Sequence, residues 1–335
     1  MDTSLEQSLS RINIQPVEGV ALLRLINRMM PLAHRLYPLL AKYKNCDGLL
    51  AVPFGKYELL VPAAWLGAYA GDLIFEGVDT RPEFELLAPH LRKIGDAAIV
   101  DVGSSIGEYV LLFSQHCSAR IIAYEPSPVS FAVLAKNVER NKLDKVDARH
   151  RACGNAAGTI TLDMGVVSYI RHTAVLSTET KAGDEADLQA FKDLATDVMT
   201  QFRPVNVDLV TLDEDLKSVG KIGLLKIDVE GFEYQVLSGA RKIIEEHRPL
   251  LLVELHPGQI EPQGNTIKDV CDLLRPHYKL EFWDAKYQKH PSRIGRLLQR
   301  YFPKHLYRFE SEEEMLAAAY RPERPAHPQL IAYPL

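Results

Sequence analysis

The sequence has few cysteines, no excess of positive charge and no long apolar run, and each of these shortages excludes a class of protein. Its four cysteines are scattered and form no C-x-x-C pair, which argues against a zinc site and for a reducing compartment. The net charge is −5 and the pI about 6.1, so the chain lacks the broad basic surface of nucleic-acid-binding proteins. No apolar run reaches the roughly 18 residues that a membrane-spanning helix needs. The polar start MDTSLEQSLSRINIQ does not resemble a signal peptide, and we therefore expect a soluble, cytoplasmic protein.

What is present is an alternation of apolar strands with helices. Five buried strands are predicted at 97–102, 120–125, 146–154, 222–228 and 249–257. Two more strand-like segments, YKLEFWD and QLIAYPL, lie near the end of the chain. Strands that alternate with helices of this length form a sheet covered by helices on both faces. The sequence therefore predicts an α/β fold with a doubly wound, mostly parallel, seven-stranded sheet.

Three parts of the chain depart from this alternation. Residues 1–80 are predicted as an extension, with a basic amphipathic helical stretch at 22–44 and a hairpin, LLAVPFGKYELLVP. Residues 166–206 are polar and helical, and we expect a lid-like insertion there. The main domain then covers 81–284, and 285–335 form a basic segment with a closing strand.

The stretch VDVGSSIGEY places a glycine-containing turn between the first main strand and a helix. A dinucleotide-binding turn needs G-x-G-x-x-G, but Ser105 and Glu108 stand where its second and third glycines would be. Glu108 would also repel a pyrophosphate. A nicotinamide-dependent oxidoreductase is therefore disfavoured.

A second signal lies at the end of the next strand. Glu125 follows Gly103 by 22 residues, where an acid accepts hydrogen bonds from both hydroxyls of a ribose. A site that holds a nucleoside but no pyrophosphate suits S-adenosylmethionine (SAM). The alternative is a purely structural turn with Glu125 as a solvated strand end.

Several segments together resemble one family. VDVGSSIGEY, AYEPSP, VTLDEDL, LKIDVEGFEYQVLSGA and LLVELHP resemble, in order and spacing, the FkbM family of SAM-dependent methyltransferases. The resemblance covers roughly residues 80–260 and is most specific at KIDVEG. It implies the Rossmann-like fold of class I methyltransferases and O-methylation of a sugar, glycan or polyketide-type hydroxyl. The parts outside the resemblance are expected to select the acceptor.

The resemblance and the turn together define a predicted cofactor site. Asp101 is expected either to hold the amino group of SAM or to brace the turn, and Ala152 lies where this fold contacts adenine. Cys153 beside it is expected to be a small buried residue. The predicted cofactor-binding residues are Asp101, Gly103, Ser104, Ser105, Gly107, Glu125, Pro126 and Ala152.

Four side chains at the ends of the fourth and fifth main strands are the predicted catalytic residues: Asp228, Glu230, Glu254 and His256. Neighbouring ends of a parallel sheet lie close together, so these groups are expected to converge beside the sulfonium. His256 suits a general base because an unperturbed imidazole titrates near neutrality. Asp228 is a second candidate base, or holds the acceptor or the cofactor amino group. The carboxylates could instead bind Mg²⁺, and no metal site is assigned.

Residues near the predicted catalytic side chains are expected to have structural roles. Glu233 is predicted to stabilise a helix N-terminus, Lys226 to pair with a carboxylate, and Asp213 to cap a helix. Tyr169, Arg171 and His172 either reach the acceptor or belong to a solvated loop.

The expected partner is a sugar, glycan or natural-product acceptor, with no nucleic acid. The basic segments at 22–44 and 293–308 suggest contact with an anionic membrane surface. A non-catalytic SAM-binding module is the alternative from outside the enzymes. The oligomeric state and the methylated position are not predicted.

Overall fold

The structure, a computed structural model, describes residues 13–18, 20–21, 48–63, 82–162, 205–284, 306–321, 326 and 328–335. The helical stretch at 22–44, the insertion up to residue 204 and the segment 285–305 lie outside the described residues. The predictions for Tyr169, Arg171 and His172 therefore remain predictions. Within the described ranges, no helix is long and apolar enough to cross a membrane.

The chain first forms a small sheet of three strands, β1 (Ile14–Pro16), β2 (Leu49–Phe54) and β3 (Tyr57–Pro62). β2 and β3 are antiparallel, with Phe54 paired to Tyr57 across the predicted turn. Asn137 fastens this hairpin to the main domain, since its amide donates to Leu60 O at 3.1 Å and accepts from Leu60 N at 2.6 Å.

The main sheet has eight described strands rather than seven. They are β4 (Ala98–Val102), β5 (Ile121–Tyr124), β6 (Val146–Arg149), β10 (Ile222–Ile227), β11 (Leu250–Glu254), β12 (Tyr278–Asp284), β13 (Tyr307–Arg308) and β14 (Gln329–Pro334). Their order across the sheet is β13-β12-β14-β11-β10-β4-β5-β6. Pairing is parallel from β6 through β11, and β14 is antiparallel to both of its neighbours. The added strand, β13, pairs through only two residues with the end of β12.

The predicted third strand is divided between two sheets. The chain leaves the main sheet after Arg149, and β7 (Ala152–Cys153) joins β8 (Gly158–Leu162) and β9 (Val205–Val210) in a separate three-stranded sheet. The division falls where Arg149 and Arg151 both form ion pairs with Asp215. Residues 205 and 206, assigned from the sequence to the insertion, begin β9.

The helices cover both faces of the main sheet. They are α1 (Pro82–Leu91), α2 (Glu108–His116), α3 (Pro128–Arg140), α4 (Leu212–Asp215), α5 (Glu233–Ser238), a π-helix (Ile243–His247), α6 (Pro257–Ile260), a 3₁₀ turn (Glu261–Gln263), α7 (Ile267–Leu274) and α8 (Glu312–Ala319). The single helix predicted over FEYQVLSGARKIIEEH is therefore two shorter ones. Asp213 does not cap its own helix but accepts from Lys242 N and Ile243 N, at the start of the π-helix.

Two helices were missed from the sequence although their caps are readable. Thr266 and Asp269 form a reciprocal capping box at α7. Ser311 accepts from Glu314 N at α8, whose first turn is acidic.

Successive residues of the central strands enter two apolar layers, one on each face. In β4, Ile99 packs in one layer and Val100 in the other, and Leu224 and Leu225 of β10 divide in the same way. This alternation follows from the two-residue period of a strand. Because both faces are buried, the polar groups of β4, β10 and β11 collect where these strands end.

Candidate active site

The carboxyl ends of β4, β10 and β11 form one edge of the sheet. β10 pairs in parallel with β4 on one side and with β11 on the other. Asp228 N donates to Val102 O at 3.0 Å, which holds the segment after β10 against the end of β4. The predicted cofactor turn and the predicted catalytic residues therefore share one edge of the sheet.

Close packing fixes the turn between β4 and α2. Gly103 has a φ of +79°, and a Cβ there would lie 1.8 Å from the carbonyl oxygen of Asp228. Gly107 has a φ of +94° and packs against Leu134. Ser104 Oγ donates to Asp101 O at 2.9 Å and closes the turn from within. Glycine is therefore required at both of these positions.

Glu125 connects this turn to helix α3. Its carboxylate accepts from Ser105 N and from Ser127 N, both at 2.8 Å. Burial raises the pKa of Glu125 to about 7, although the two backbone hydrogen bonds favour the ionised form. The next residue, Pro126, offers its carbonyl oxygen to His150 Nε2 at 3.0 Å. The acid that was predicted to bind ribose thus lies against the turn, and its contact with ribose remains a prediction.

A buried lysine joins two of the predicted residues. Lys226 Nζ lies 3.2 Å from Asp101 Oδ1 and 3.5 Å from Asp228 Oδ2. Burial raises the pKa of Asp101, whereas these two carboxylates raise the pKa of Lys226 against the opposing effect of burial. The ion pair expected at Lys226 is thus present. Asp101 is fully buried, and this contact places it as a brace between β4 and β10.

His256 lies at the centre of the predicted catalytic residues. Its Nδ1 is 2.8 Å from Glu233 Oε1. Its Nε2 is 3.5 Å from Glu230 Oε2 and 3.9 Å from both Asp228 Oδ1 and Glu254 Oε1. The structure therefore brings all four predicted side chains together. Glu230 reaches this position with a φ of +50°, just before Gly231.

Comparison with known proteins identifies the family. Residues 101–288, more than half of the chain, match the FkbM methyltransferase domain. The chain belongs to the FkbM methyltransferase family. This is a family of SAM-dependent methyltransferases, which agrees with the resemblance found in the sequence.

This FkbM domain is similar to several named methyltransferases and to a solved FkbM structure. Methyltransferase sdnD of Sordaria araneosa is 32% identical over 181 residues, covering 49% of this chain and 69% of that protein. The 31-O-demethyl-FK506 methyltransferase FkbM of Streptomyces tacrolimicus is 27% identical, covering 53% and 71%. The hexuronic acid methyltransferase AglP of Haloferax volcanii is 28% identical, covering 53% and 62%. A solved FkbM structure from Methylobacillus flagellatus is 15% identical, with a TM-score of 0.39 over 71% of this chain and 44% of that chain.

The environment of His256 in this FkbM domain changes its expected role. Burial lowers the pKa of His256, but the hydrogen bond to Glu233 and the charges of the nearby carboxylates outweigh burial and raise it to about 10. The ligand-free imidazole is therefore protonated at neutral pH. A protonated imidazole accepts no proton, so the argument from an unperturbed histidine pKa does not apply here.

Two neighbouring carboxyl groups also have raised pKa values, which favour their neutral form. Burial and the charge of Asp228 raise the pKa of Glu254 to about 7, and burial does the same for Glu230. The side chain of Glu254 is 34% exposed and that of Glu230 only 11%. Glu254 is thus the more accessible of two carboxylates that titrate near neutrality.

Glu233 has a larger role than the sequence indicated. Its side chain is fully buried and accepts from Gly231 N at 2.9 Å as well as contacting His256. It therefore orients the histidine, whereas α5 has no side-chain hydrogen bond that caps its N-terminus. No local pattern could have shown this, because the two residues are 23 positions apart.

Residues beside the adenine position and behind the turn complete the site. Ala152 is buried in β7, paired with Leu209, and Cys153 beside it is buried as expected. Asn137 was not singled out, yet it donates to Ile106 O at 2.8 Å and so supports the turn from behind.

Proposed function

We propose that this protein transfers the methyl group of SAM to a hydroxyl oxygen of a sugar, a glycan or a glycosylated natural product. The observation that carries this proposal is the set of His256, Asp228, Glu230 and Glu254 at the sheet edge where Gly103 contacts the Asp228 backbone. If SAM binds at the predicted turn, the carboxylates of this set would lie next to its sulfonium.

SAM would lie along the ends of β4 and β5. The turn of Gly103, Ser104, Ser105 and Gly107 would hold its amino-acid part, and Glu125 its ribose. Pro126 and Ala152 would face the adenine. The assignments of the turn and of Glu125 are supported by the turn geometry and by the position of Glu125 against it, and those of Pro126 and Ala152 by the family resemblance.

The transfer step forms an oxygen–carbon bond as the carbon–sulfur bond breaks. The sulfonium becomes a neutral thioether, and the hydroxyl loses its proton. We assign that proton to the carboxylate of Glu254, because a base with a pKa near the working pH is most effective. Asp228 would hold the acceptor oxygen in line with the methyl group and sulfur.

The acceptor class is supported by the relatives and by the site. The name of AglP specifies a hexuronic acid, and that of the Streptomyces tacrolimicus protein specifies a demethylated FK506. Carboxylates such as Asp228 and Glu254 accept hydrogen bonds from hydroxyl groups, of which sugars carry several. A cytoplasmic location, and contact of the basic segments with an anionic membrane, complete the proposal.

Labelled SAM and a panel of acceptors test this function. The panel would include uronic acids, neutral glycosides and a macrolide-type alcohol, with methylated products identified by mass spectrometry. Glu254→Gln should lower kcat by about 10²–10⁴-fold while SAM affinity changes little, because the base acts only in the transfer step. The exposed Glu246→Gln is the matched control, and its activity should equal that of the wild type.

Each other outcome has a defined meaning. SAM binding without transfer to any acceptor would favour the non-catalytic binding module. Failure to bind SAM at saturating concentration would contradict the cofactor assignment. Full activity of Glu254→Gln would remove Glu254 as the base.

A further inference from the structure

Three side chains of the active site have the spacing of metal ligands. One donor atom each from Asp228, Glu230 and His256 lies within 4.8 Å of the other two. Hydrogen-bonded atoms lie about 2.7–3.2 Å apart. Donors at about 2.1 Å from a shared ion are instead about 3.0 Å apart at right angles and about 4.2 Å apart when opposite. The distances from His256 Nε2, 3.5 Å to Glu230 and 3.9 Å to Asp228, fall in that second range.

The histidine is oriented independently of the carboxylates that it faces. Glu233, which is fully buried, accepts a hydrogen bond from His256 Nδ1 at 2.8 Å. That bond fixes Nδ1 as the protonated nitrogen and directs Nε2 into the cluster. The His256 side chain is only 7% exposed, and no carboxylate oxygen that faces Nε2 is closer than 3.5 Å. Metal-binding histidines are typically held by a carboxylate in this way.

The charge balance of this edge also favours a cation. Asp228, Glu230 and Glu254 all face His256 Nε2, and the buried Glu233 contacts Nδ1 on the other side of the ring. The ammonium of Lys226 is already in contact with Asp101 and Asp228. Buried carboxylates require a counter-charge nearby. A divalent ion supplies more positive charge than a protonated imidazole does.

We propose that Asp228, Glu230 and His256 bind a divalent cation of the Mg²⁺ or Mn²⁺ type. Two carboxylates and one imidazole leave coordination positions for water and for the acceptor hydroxyl. Binding requires a neutral His256, so the proton on Nε2 is released when the ion enters. The site rests on the geometry above, whereas its role in lowering the pKa of the acceptor hydroxyl rests on the proposed function. Glu254 remains outside the ligand set to take the proton.

Mn²⁺ titration of chelator-treated protein tests the site directly. Loss of the free Mn²⁺ signal in electron paramagnetic resonance should show one ion per chain, displaced by excess Mg²⁺. Asp228→Asn and Glu230→Gln should each weaken binding at least tenfold. Asp272→Asn removes a surface acid beside Lys268 and should bind as the wild type does. Circular dichroism of each variant checks that it is folded.

A separate variant keeps the test informative if Asp228→Asn fails to fold. Glu233→Gln retains all three ligands but weakens the hold on Nδ1, and we expect about 10–100-fold weaker Mn²⁺ binding. No binding at millimolar Mn²⁺, or equal binding by the wild type and all folded variants, would overturn the proposal.

The proposed ion site and the proposed methyltransferase function can be rejected separately. Methyl transfer that is unaffected by EDTA, with no Mn²⁺ binding, would reject the ion site and leave the methyltransferase intact. Mn²⁺ binding without any methyl transfer would support the ion site and reject the methyltransferase function.

Discussion

Replacing Gly103 by alanine tests whether the cofactor turn and Asp228 form one packed unit. The new Cβ would lie 1.8 Å from the Asp228 carbonyl oxygen, where ordinary contact begins at about 3.4 Å. The left-handed backbone, with a φ of +79°, costs an alanine about 1–2 kcal/mol. Overpacking against a backbone atom adds about 1–3 kcal/mol, because neither strand end can move freely. We expect the free energy of unfolding to fall by about 2–5 kcal/mol.

Two other glycines separate these contributions. Gly95 has a φ of +58° and open space around it, so Gly95→Ala measures the cost of the backbone conformation alone, at about 1–2 kcal/mol. Gly158 also lies in open space but without a positive φ, and Gly158→Ala should cause no loss. Urea denaturation followed by circular dichroism gives all three values.

The Gly103→Ala variant should also lower the rate of methyl transfer. Relief of the clash must move the turn or the Asp228 backbone, and a displacement of about 1 Å lowers turnover on the order of 100-fold. SAM calorimetry and labelled-methyl transfer would detect either change. Gly103→Ala that is no less stable than Gly95→Ala, and that turns over normally, would refute the packing argument.

Two further predictions concern the proton acceptor and the support of the turn. The transfer rate should fall as the pH drops through about 7, because a protonated Glu254 accepts no proton, and a bound cation should move this fall to lower pH. A pH series of kcat/KM checks this, and a rate that rises on acidification contradicts it. Asn137→Asp should destabilise the protein by about 2–5 kcal/mol in urea, since it leaves Leu60 O and Ile106 O without their donor. The exposed Asn206→Asp serves as its control, and equal stabilities would show that the amide is dispensable.

Local chemistry made the main elements predictable. Ala98, Ile99 and Val100 belong to a continuous apolar run, and such a run between helices indicates a buried parallel strand. Ser127 and Pro128 begin α3 as a cap and a first-turn proline do. The hairpin turn at Gly55 was equally readable. Each of these signals is contained in a few consecutive residues.

Other boundaries depended on contacts distant in sequence. The predicted strand at 146–154 divides at the point where Arg149 and Arg151 pair with Asp215, more than sixty positions away. The main sheet gained β13 because Tyr307 and Arg308 meet the end of β12. Periodicity gives no information about either contact.

The sequence by itself determined the central strands β4, β5, β10 and β11, the turn of Gly103 and Gly107, and the residue types gathered at the strand ends. Only the tertiary structure decided which of those residues contact one another. It placed Glu233 against His256, and this hydrogen bond together with the nearby carboxylates raises the pKa of the imidazole to about 10. It also buried Asp101 against Lys226 while leaving Glu254 accessible. The reason is that protonation and access depend on which strand ends are neighbours, and sequence spacing does not record that arrangement.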